Sequence, residues 1–175
     1  MKRTKLKDRI LPPYTRGEEI FNMVSHIVGG GFGVIALTTC VIYSFLYSDV
    51  FGIVGSFIYG ISMVLLYTMS SVYHGLKNGT AKKVFQILDH CTIFILIAGT
   101  YTPICLVVLN KSFGLILFGI IWGMAIAGII LTCFFVHCPK WISSVIYIVM
   151  GWTCVLAFTQ IINALPKAGF YWLLA

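Results

Sequence analysis

The chain has little charge. Asp, Glu, Lys and Arg make up 10% of its 175 residues, and only five residues are acidic. Soluble domains carry about 25% charged residues, so the low charge excludes a water-soluble globular protein. The hydrophobic share is 59% and the mean hydropathy is +0.98. These values predict a membrane protein along its whole length.

Paired cysteine motifs are also missing. None of the six cysteines forms a Cys-x-x-Cys pair, and most of them fall within apolar runs. This pattern excludes a disulfide framework and predicts small packing residues in a reduced or lipid-shielded setting. The residues are Cys40, Cys91, Cys105, Cys133, Cys138 and Cys154.

Long uncharged runs indicate the fold class. A helix needs about 20 apolar residues to cross a hydrocarbon layer of about 30 Å, and five runs of the sequence are long enough. They predict spans near 22–45, 51–74, 86–109, 113–136 and 141–164. The breaks between them are short, so neighbouring helices are expected to be antiparallel and adjacent. The predicted fold is an all-α, polytopic transmembrane helical bundle with five complete helices.

The ends of the chain differ from its middle. Residues 1–19 form a basic N-terminal segment, and residues 20–175 form the predicted transmembrane domain. A new apolar run at 168–175 has eight residues, which as a helix rise only about 12 Å. That length cannot cross a bilayer, so the run is either a monotopic segment that enters the membrane from one side or a sixth helix that is cut short, and we expect the second.

The distribution of basic residues predicts the orientation. Ten of the twelve Lys and Arg residues fall on one side of the predicted spans, and only Lys111 and Lys167 fall on the other. The positive-inside rule then places the N-terminus in the cytoplasm. The basic cluster at 2–9 can also contact anionic lipid. It has no aromatic interleaving and no nucleic-acid motif, so membrane lipids are the expected partners and nucleic acid is not.

Polar residues gather at the predicted cytoplasmic ends of the first three spans. Ionisable groups in apolar segments are costly to bury and mark a site by default, although they can also hydrogen-bond each other to hold helices together. Asn22 and His26 are four residues apart, as are Ser70 and His74, so each pair shares a helix face. The complete set is Glu18, Glu19, Asn22, His26, Ser70, His74, Asp89 and His90.

This set suits a metal site in part. Imidazole and carboxylate are the usual zinc ligands, and a catalytic zinc needs about three protein ligands and an open position for water. His74 and Asp89 are the strong candidates, and Ser70 could orient the water. His26 is a further candidate ligand, with a packing histidine bonded to Asn22 as the alternative.

The other polar residues have simpler explanations. His90 follows Asp89 and would point about 100° away around a helix, so packing or interface contact is favoured over ligation. Glu18 and Glu19 can cap the first helix, where acidic side chains interact favourably with the helix dipole. His137 is predicted to be a solvated turn residue.

Four ordered motifs resemble a known family. They are Glu18 to His26, Ser70-x-x-x-His74, Leu88-Asp89-His90 and Gly99-Thr100-Tyr101-Thr102-Pro103, and they resemble the haemolysin III branch of the progestin and adipoQ receptor family. The resemblance implies a seven-helix integral membrane protein with a cytoplasmic N-terminus. It also implies a zinc site near the cytoplasmic side, built from the histidine of Ser-x-x-x-His and from a His-x-x-x-His motif in the seventh helix.

The resemblance transfers only three site residues. It implies that His74 is a zinc ligand, that Asp89 acts on the zinc-bound water and that Ser70 belongs to the same motif as His74. The His-x-x-x-His pair has no counterpart in this sequence.

Two classes of function follow. The first is a zinc-dependent hydrolase of lipid amides in the cell membrane, with Asp89 holding and deprotonating the water and Ser70 orienting it. The second is a non-enzymatic membrane protein, either a pore-forming cytolysin or a factor in membrane homeostasis or ligand sensing. No amphipathic lytic helix or ring of pore charges is recognisable, which gives the pore little physical support.

Overall fold

The structure, a computed structural model, describes residue 6, residues 9–134 and residues 140–174. Within these residues it is built from α-helices, and the all-α prediction is confirmed. The helices in chain order are α1 (Arg16–Tyr47), α2 (Val50–Gly75), α3 (Thr80–Pro103), α4 (Lys111–Phe134), α5 (Lys140–Trp152), α6 (Cys154–Ala164) and α7 (Lys167–Leu174), with a π-helical stretch, Ile104–Val108, continuing α3.

Five helical segments are long and apolar enough to cross a membrane. They are Arg16–Tyr47, Val50–Gly75, Thr80–Val108, Lys111–Phe134 and Trp141–Ala164. Each overlaps one predicted span, so the prediction of five spans is confirmed. The last of the five combines α5 and α6, which are separated at Thr153. The predicted turn residue His137 and the predicted end of the fourth span at 136 lie outside the described residues.

The helix that carries the third span begins before the predicted span. The span was expected from near 86, and α3 begins at Thr80; α1 likewise begins at Arg16, before its span predicted from 22. The expectation assumed that a lysine lies outside a span. Lys82 is instead only 2% exposed, and its Nζ lies 2.7 Å from Oε1 of Glu19. Because the Glu19 carboxylate neutralises the ammonium group, Lys82 can be buried within the helical bundle.

A capping box begins α1. The side chain of Thr15 accepts a hydrogen bond from the backbone N–H of Glu18 at 3.3 Å, and the Glu18 carboxylate accepts one from the backbone N–H of Thr15 at 2.7 Å. This reciprocal pair satisfies two of the free amide groups at a helix start. The predicted capping role is confirmed for Glu18. Glu19 interacts with α2 and α3 instead.

Small residues allow α1 and α2 to approach closely. A Cβ atom added at Gly29 would lie 2.6 Å from the Tyr67 ring, and one at Gly33 would lie 3.4 Å from Met63. Small residues at this spacing commonly allow membrane helices to pack tightly. The pair Gly119 and Gly123 has the same spacing but does not play this role among the described residues, since an added Cβ would meet nothing within 4 Å.

The apolar core lies between α3, α4 and α5. Phe94, Ile121, Ala125 and Met150 are completely buried there. Phe94 packs where Gly128 leaves room on α4. This core makes α3 the central helix, with α2 on one side and α4 and α5 on the other.

Tyr101 supports the break between α5 and α6. Its hydroxyl donates to the carbonyl of Gly151 at 2.8 Å and accepts from the backbone N–H of Cys154 at 2.7 Å. Backbone groups freed by a break cannot find water in a bilayer, so they need such a partner. Tyr101 belongs to the Gly99 to Pro103 motif, which therefore has a structural role in this bundle.

Candidate functional site

Three helices contribute side chains to one polar cluster. Nδ1 of His74 on α2 lies 2.7 Å from Oε2 of Glu19 on α1. The other oxygen of the same carboxylate, Oε1, lies 2.7 Å from Nζ of Lys82 on α3. The side chains of His74 and Lys82 are 7% and 3% exposed, and that of Glu19 is 18% exposed. A single carboxylate thus joins α1, α2 and α3.

Lys82 is the residue that sequence reasoning missed. Besides its ion pair with Glu19, its ammonium group donates to the carbonyl of Leu76 at 3.0 Å and lies 5.1 Å from the centre of the Tyr73 ring. A buried charge needs such partners. The sequence does contain a signal, since Lys82, Gln86 and Asp89 recur at helical spacing on one face of α3.

Aromatic rings surround His74. Its ring centre lies 4.7 Å from that of Tyr73, 5.7 Å from that of Tyr14 and 5.9 Å from that of His26. Tyr14 precedes α1, so the segment before the first helix also reaches the cluster. The imidazole of His74 is therefore held by packing as well as by its bond to Glu19.

His26 lies beside His74 with an unsatisfied nitrogen. Its Nδ1 atom is buried and has no hydrogen-bond partner among the described residues. The predicted bond to Asn22 is therefore not made by this nitrogen, and Asn22 instead accepts a bond from Ser25 through its backbone carbonyl at 3.0 Å. An unpaired buried nitrogen is costly. His26 thus has a free ligating atom at the edge of the cluster.

The other predicted site residues lie on α2 and α3. Ser70 is buried one helical turn before His74, and Asp89 is partly buried two turns after Lys82. His90 is exposed, and its backbone carbonyl accepts a bond from the Tyr147 hydroxyl at 3.0 Å. The structure thus brings Glu19, His26 and His74 together, and it leaves His90 exposed on α3.

His74 has the geometry of a metal ligand. A zinc-binding histidine generally hydrogen-bonds a carboxylate or carbonyl through one ring nitrogen and ligates through the other. The bond between Nδ1 and Glu19 leaves Nε2 for that role. Within residues 6, 9–134 and 140–174, no group of three or more His, Cys, Asp or Glu side chains could hold a metal ion. The described residues therefore fit one oriented ligand but not a complete zinc site.

Comparison with known proteins identifies the family. A family model described as Haemolysin-III related matches residues 14–175. The chain belongs to the haemolysin III family. The family recognised from the four sequence motifs is thereby confirmed. No solved structure matches the chain.

Two haemolysin III relatives are similar over most of the chain. The hemolysin-3 homolog of Bacillus subtilis (strain 168) is 37% identical over 157 residues, which cover 90% of this chain and 74% of the relative. Hemolysin-3 of Bacillus cereus is 39% identical over 158 residues, which cover 90% of this chain and 72% of the relative. The family assignment therefore includes both the polar cluster and the five membrane-spanning segments.

Proposed function

We propose that this haemolysin III protein holds a zinc ion at the polar ends of α1, α2 and α3 and hydrolyses an amide bond of a membrane lipid. The proposal includes a cell-membrane location with the N-terminus and the cluster on the cytoplasmic side. The positive-inside distribution of Lys and Arg supports this orientation. The lipid-amide substrate class follows from the family resemblance of the motifs around Ser70, His74 and Asp89.

One observation carries the zinc proposal. The Glu19 carboxylate accepts a hydrogen bond from Nδ1–H of His74 at 2.7 Å. This bond fixes the tautomer of the imidazole and presents Nε2 as a ligand. A zinc ion, when bound, supplies a Lewis acid that lowers the pKa of a coordinated water to about 7. His26, with its buried and unpartnered Nδ1, is the second candidate ligand. The remaining ligands would come from outside the described residues.

Asp89 and Ser70 have roles in the reaction that follow from their chemistry. The Asp89 carboxylate can accept a proton at Oδ from a nearby water and pass it to the leaving amine. The buried Ser70 hydroxyl can donate to and accept from the same water, which orients it. Lys82 keeps Glu19 ionised, so Glu19 continues to hold His74.

A second candidate function is not enzymatic. The same two contacts, from Glu19 to His74 and from Glu19 to Lys82, can hold α1, α2 and α3 together without a metal ion or turnover. Such a protein would act in membrane homeostasis or ligand sensing. The name of the Bacillus cereus relative, hemolysin-3, adds membrane lysis to this class.

Metal content in the full-length protein tests the proposal. We expect His74→Ala to lose zinc, measured by elemental analysis of protein purified in detergent, because it removes the oriented ligand. Asp89→Asn should keep the zinc but lose hydrolysis of a fluorescent ceramide, since an amide cannot accept the proton. The matched control is His90→Ala, which alters the exposed histidine beside Asp89 and should keep both properties.

Each alternative gives a different result. Normal zinc content in His74→Ala protein would contradict the metal site. The contacts of Glu19 with His74 and Lys82 would then only hold the three helices together. Zinc loss in His74→Ala protein together with no cleavage of any lipid amide by the unaltered protein would favour a sensing or structural metal centre. Lysis of erythrocytes by the purified protein, unaffected by Asp89→Asn, would favour the cytolysin.

A further inference from the structure

Two thiols outside the polar cluster lie in contact. Sγ of Cys91 on α3 is 3.7 Å from Sγ of Cys133 on α4. Both cysteines are free, with Cys91 buried and Cys133 exposed. The sulfurs of a disulfide are about 2.05 Å apart, so this pair is in contact but is not bonded. The sequence predicted small packing residues at both positions, because no Cys-x-x-Cys pair is present and most of the cysteines fall within apolar runs.

A buried arginine lies beside the two thiols. Arg9 is 8% exposed, and its Nη2 donates to the carbonyl of Thr132 at 2.7 Å. The guanidinium interacts electrostatically with both Cys91 and Cys133. Its Nε is buried without a hydrogen-bond partner among the described residues. Burial lowers the pKa of Arg9, but arginine stays charged at physiological pH.

The geometry of this pair suits oxidation chemistry. The two thiols are in contact, and the Arg9 guanidinium lies beside both. Redox-sensitive cysteines are typically accessible to solvent, lie in electropositive surroundings and have a second cysteine next to them. Cys133 is the exposed member of the pair, and Cys91 is positioned to resolve its oxidised form.

We propose that Cys91 and Cys133 form a reversible disulfide when the protein meets hydrogen peroxide. The Cys133 thiolate attacks one peroxide oxygen, the O–O bond breaks, and the departing hydroxide takes up the thiol proton as water. Cys133 is then a sulfenic acid. Cys91 attacks its sulfur, the S–S bond forms as the S–O bond breaks, and the departing hydroxide leaves with the Cys91 proton as a second water. One peroxide is reduced and two thiols are oxidised.

The disulfide would connect two helices near the polar cluster. Cys91 lies two residues after Asp89, and the same helix carries Lys82. A covalent bond from α3 to α4 would therefore restrain α3, the helix that carries Lys82 and Asp89. The proposal does not depend on zinc or on hydrolysis, because the thiol pair and Arg9 are separate from His74.

Peptide mapping tests the proposal directly. The full-length protein in lipid nanodiscs is treated with hydrogen peroxide, its remaining thiols are blocked with iodoacetamide, and its peptides are analysed by mass spectrometry without reduction. We expect a peptide pair joined through Cys91 and Cys133, which dithiothreitol separates. Blocked thiols at both positions after peroxide treatment, or a bond from Cys133 to Cys138, would overturn the proposal.

Two variants test the assigned roles. Cys91→Ala removes the resolving thiol, so the sulfenic acid of Cys133 should persist and react with dimedone. Arg9→Gln should slow disulfide formation about tenfold, because the positive charge beside the two attacking sulfurs is lost. Arg16→Gln is the matched control, since Arg16 is exposed at the start of α1, and it should keep the original rate. Equal rates in both arginine variants would remove Arg9 from the mechanism.

Discussion

The Glu19 carboxylate holds His74 by its Nδ1 atom at 2.7 Å and leaves Nε2 available. Glu19 is thus a positioning residue, although its place near the start of α1 suggested a helix cap. Its neighbour Glu18 does cap the helix, through Thr15. Two adjacent acids therefore have different roles, because residues one position apart point in directions that differ by about 100°.

This difference makes Glu18 a control for Glu19. We predict that Glu19→Gln weakens zinc binding by the full-length protein about 10–100-fold, the usual cost of removing an outer-shell partner of a metal-binding histidine. Glu18→Gln should keep the original affinity. Titration with a competing zinc chelator measures both. Equal affinities in the two variants would show that Glu19 does not orient a metal ligand.

A second prediction concerns the stability of the cluster. Glu19→Gln leaves the buried ammonium of Lys82 without its counter-charge and should cost about 3–5 kcal/mol. Adding Lys82→Met removes that ammonium, so the double variant should be more stable than Glu19→Gln alone. Denaturant titration in detergent micelles of the unaltered chain, Glu19→Gln, Lys82→Met and the double variant gives the four free energies of unfolding. Additive losses would show that the two side chains are not coupled.

Lys82 also shows why apolar runs predict the membrane spans but not every residue at which a helix begins. Apolar runs locate spans because exposed charge is excluded from hydrocarbon, but α1 begins at Arg16 and α3 at Thr80, before the spans predicted from 22 and 86. The rule failed where a charge has a partner from another helix. That partner, Glu19, is more than 60 residues away in the sequence, so no local pattern could reveal it.

For the candidate site, the sequence likewise predicted which residues share a helix face but not which residues meet between helices. Helical spacing placed Ser70 and His74 on one face and gathered the polar residues at one level of the bundle. The spacing could not determine which acid contacts His74, because that depends on how α1 and α2 rotate against each other. The contact between Gly29 and Tyr67 fixes part of this rotation, and a pair of glycines at the same spacing on α4 has no such contact.

A third prediction concerns the break between α5 and α6. Tyr101→Phe removes the hydroxyl that bonds Gly151 and Cys154, which leaves one backbone donor and one backbone acceptor without this partner. Both residues are exposed on the bundle, within a membrane-spanning segment where water cannot replace the lost partner, so we expect a loss of about 1–3 kcal/mol in the free energy of unfolding. Tyr43→Phe is the control, because Tyr43 is 65% exposed and contacts only the Tyr47 ring among its aromatic neighbours. Equal stability of the two variants would contradict the support assigned to Tyr101.

The last prediction tests the orientation in the membrane. Lys77 lies in the turn between α2 and α3, and Lys111 begins α4, so the antiparallel bundle places them at opposite ends. Because most basic residues share the end that contains Lys77, that end should be cytoplasmic. A membrane-impermeant maleimide applied to intact cells should label Lys111→Cys above the background of the unsubstituted chain, whereas Lys77→Cys should be labelled only after the cells are opened. The reverse pattern would place Glu19, His74 and Lys82 on the outer side, and a hydrolase acting from the cytoplasm would then be excluded.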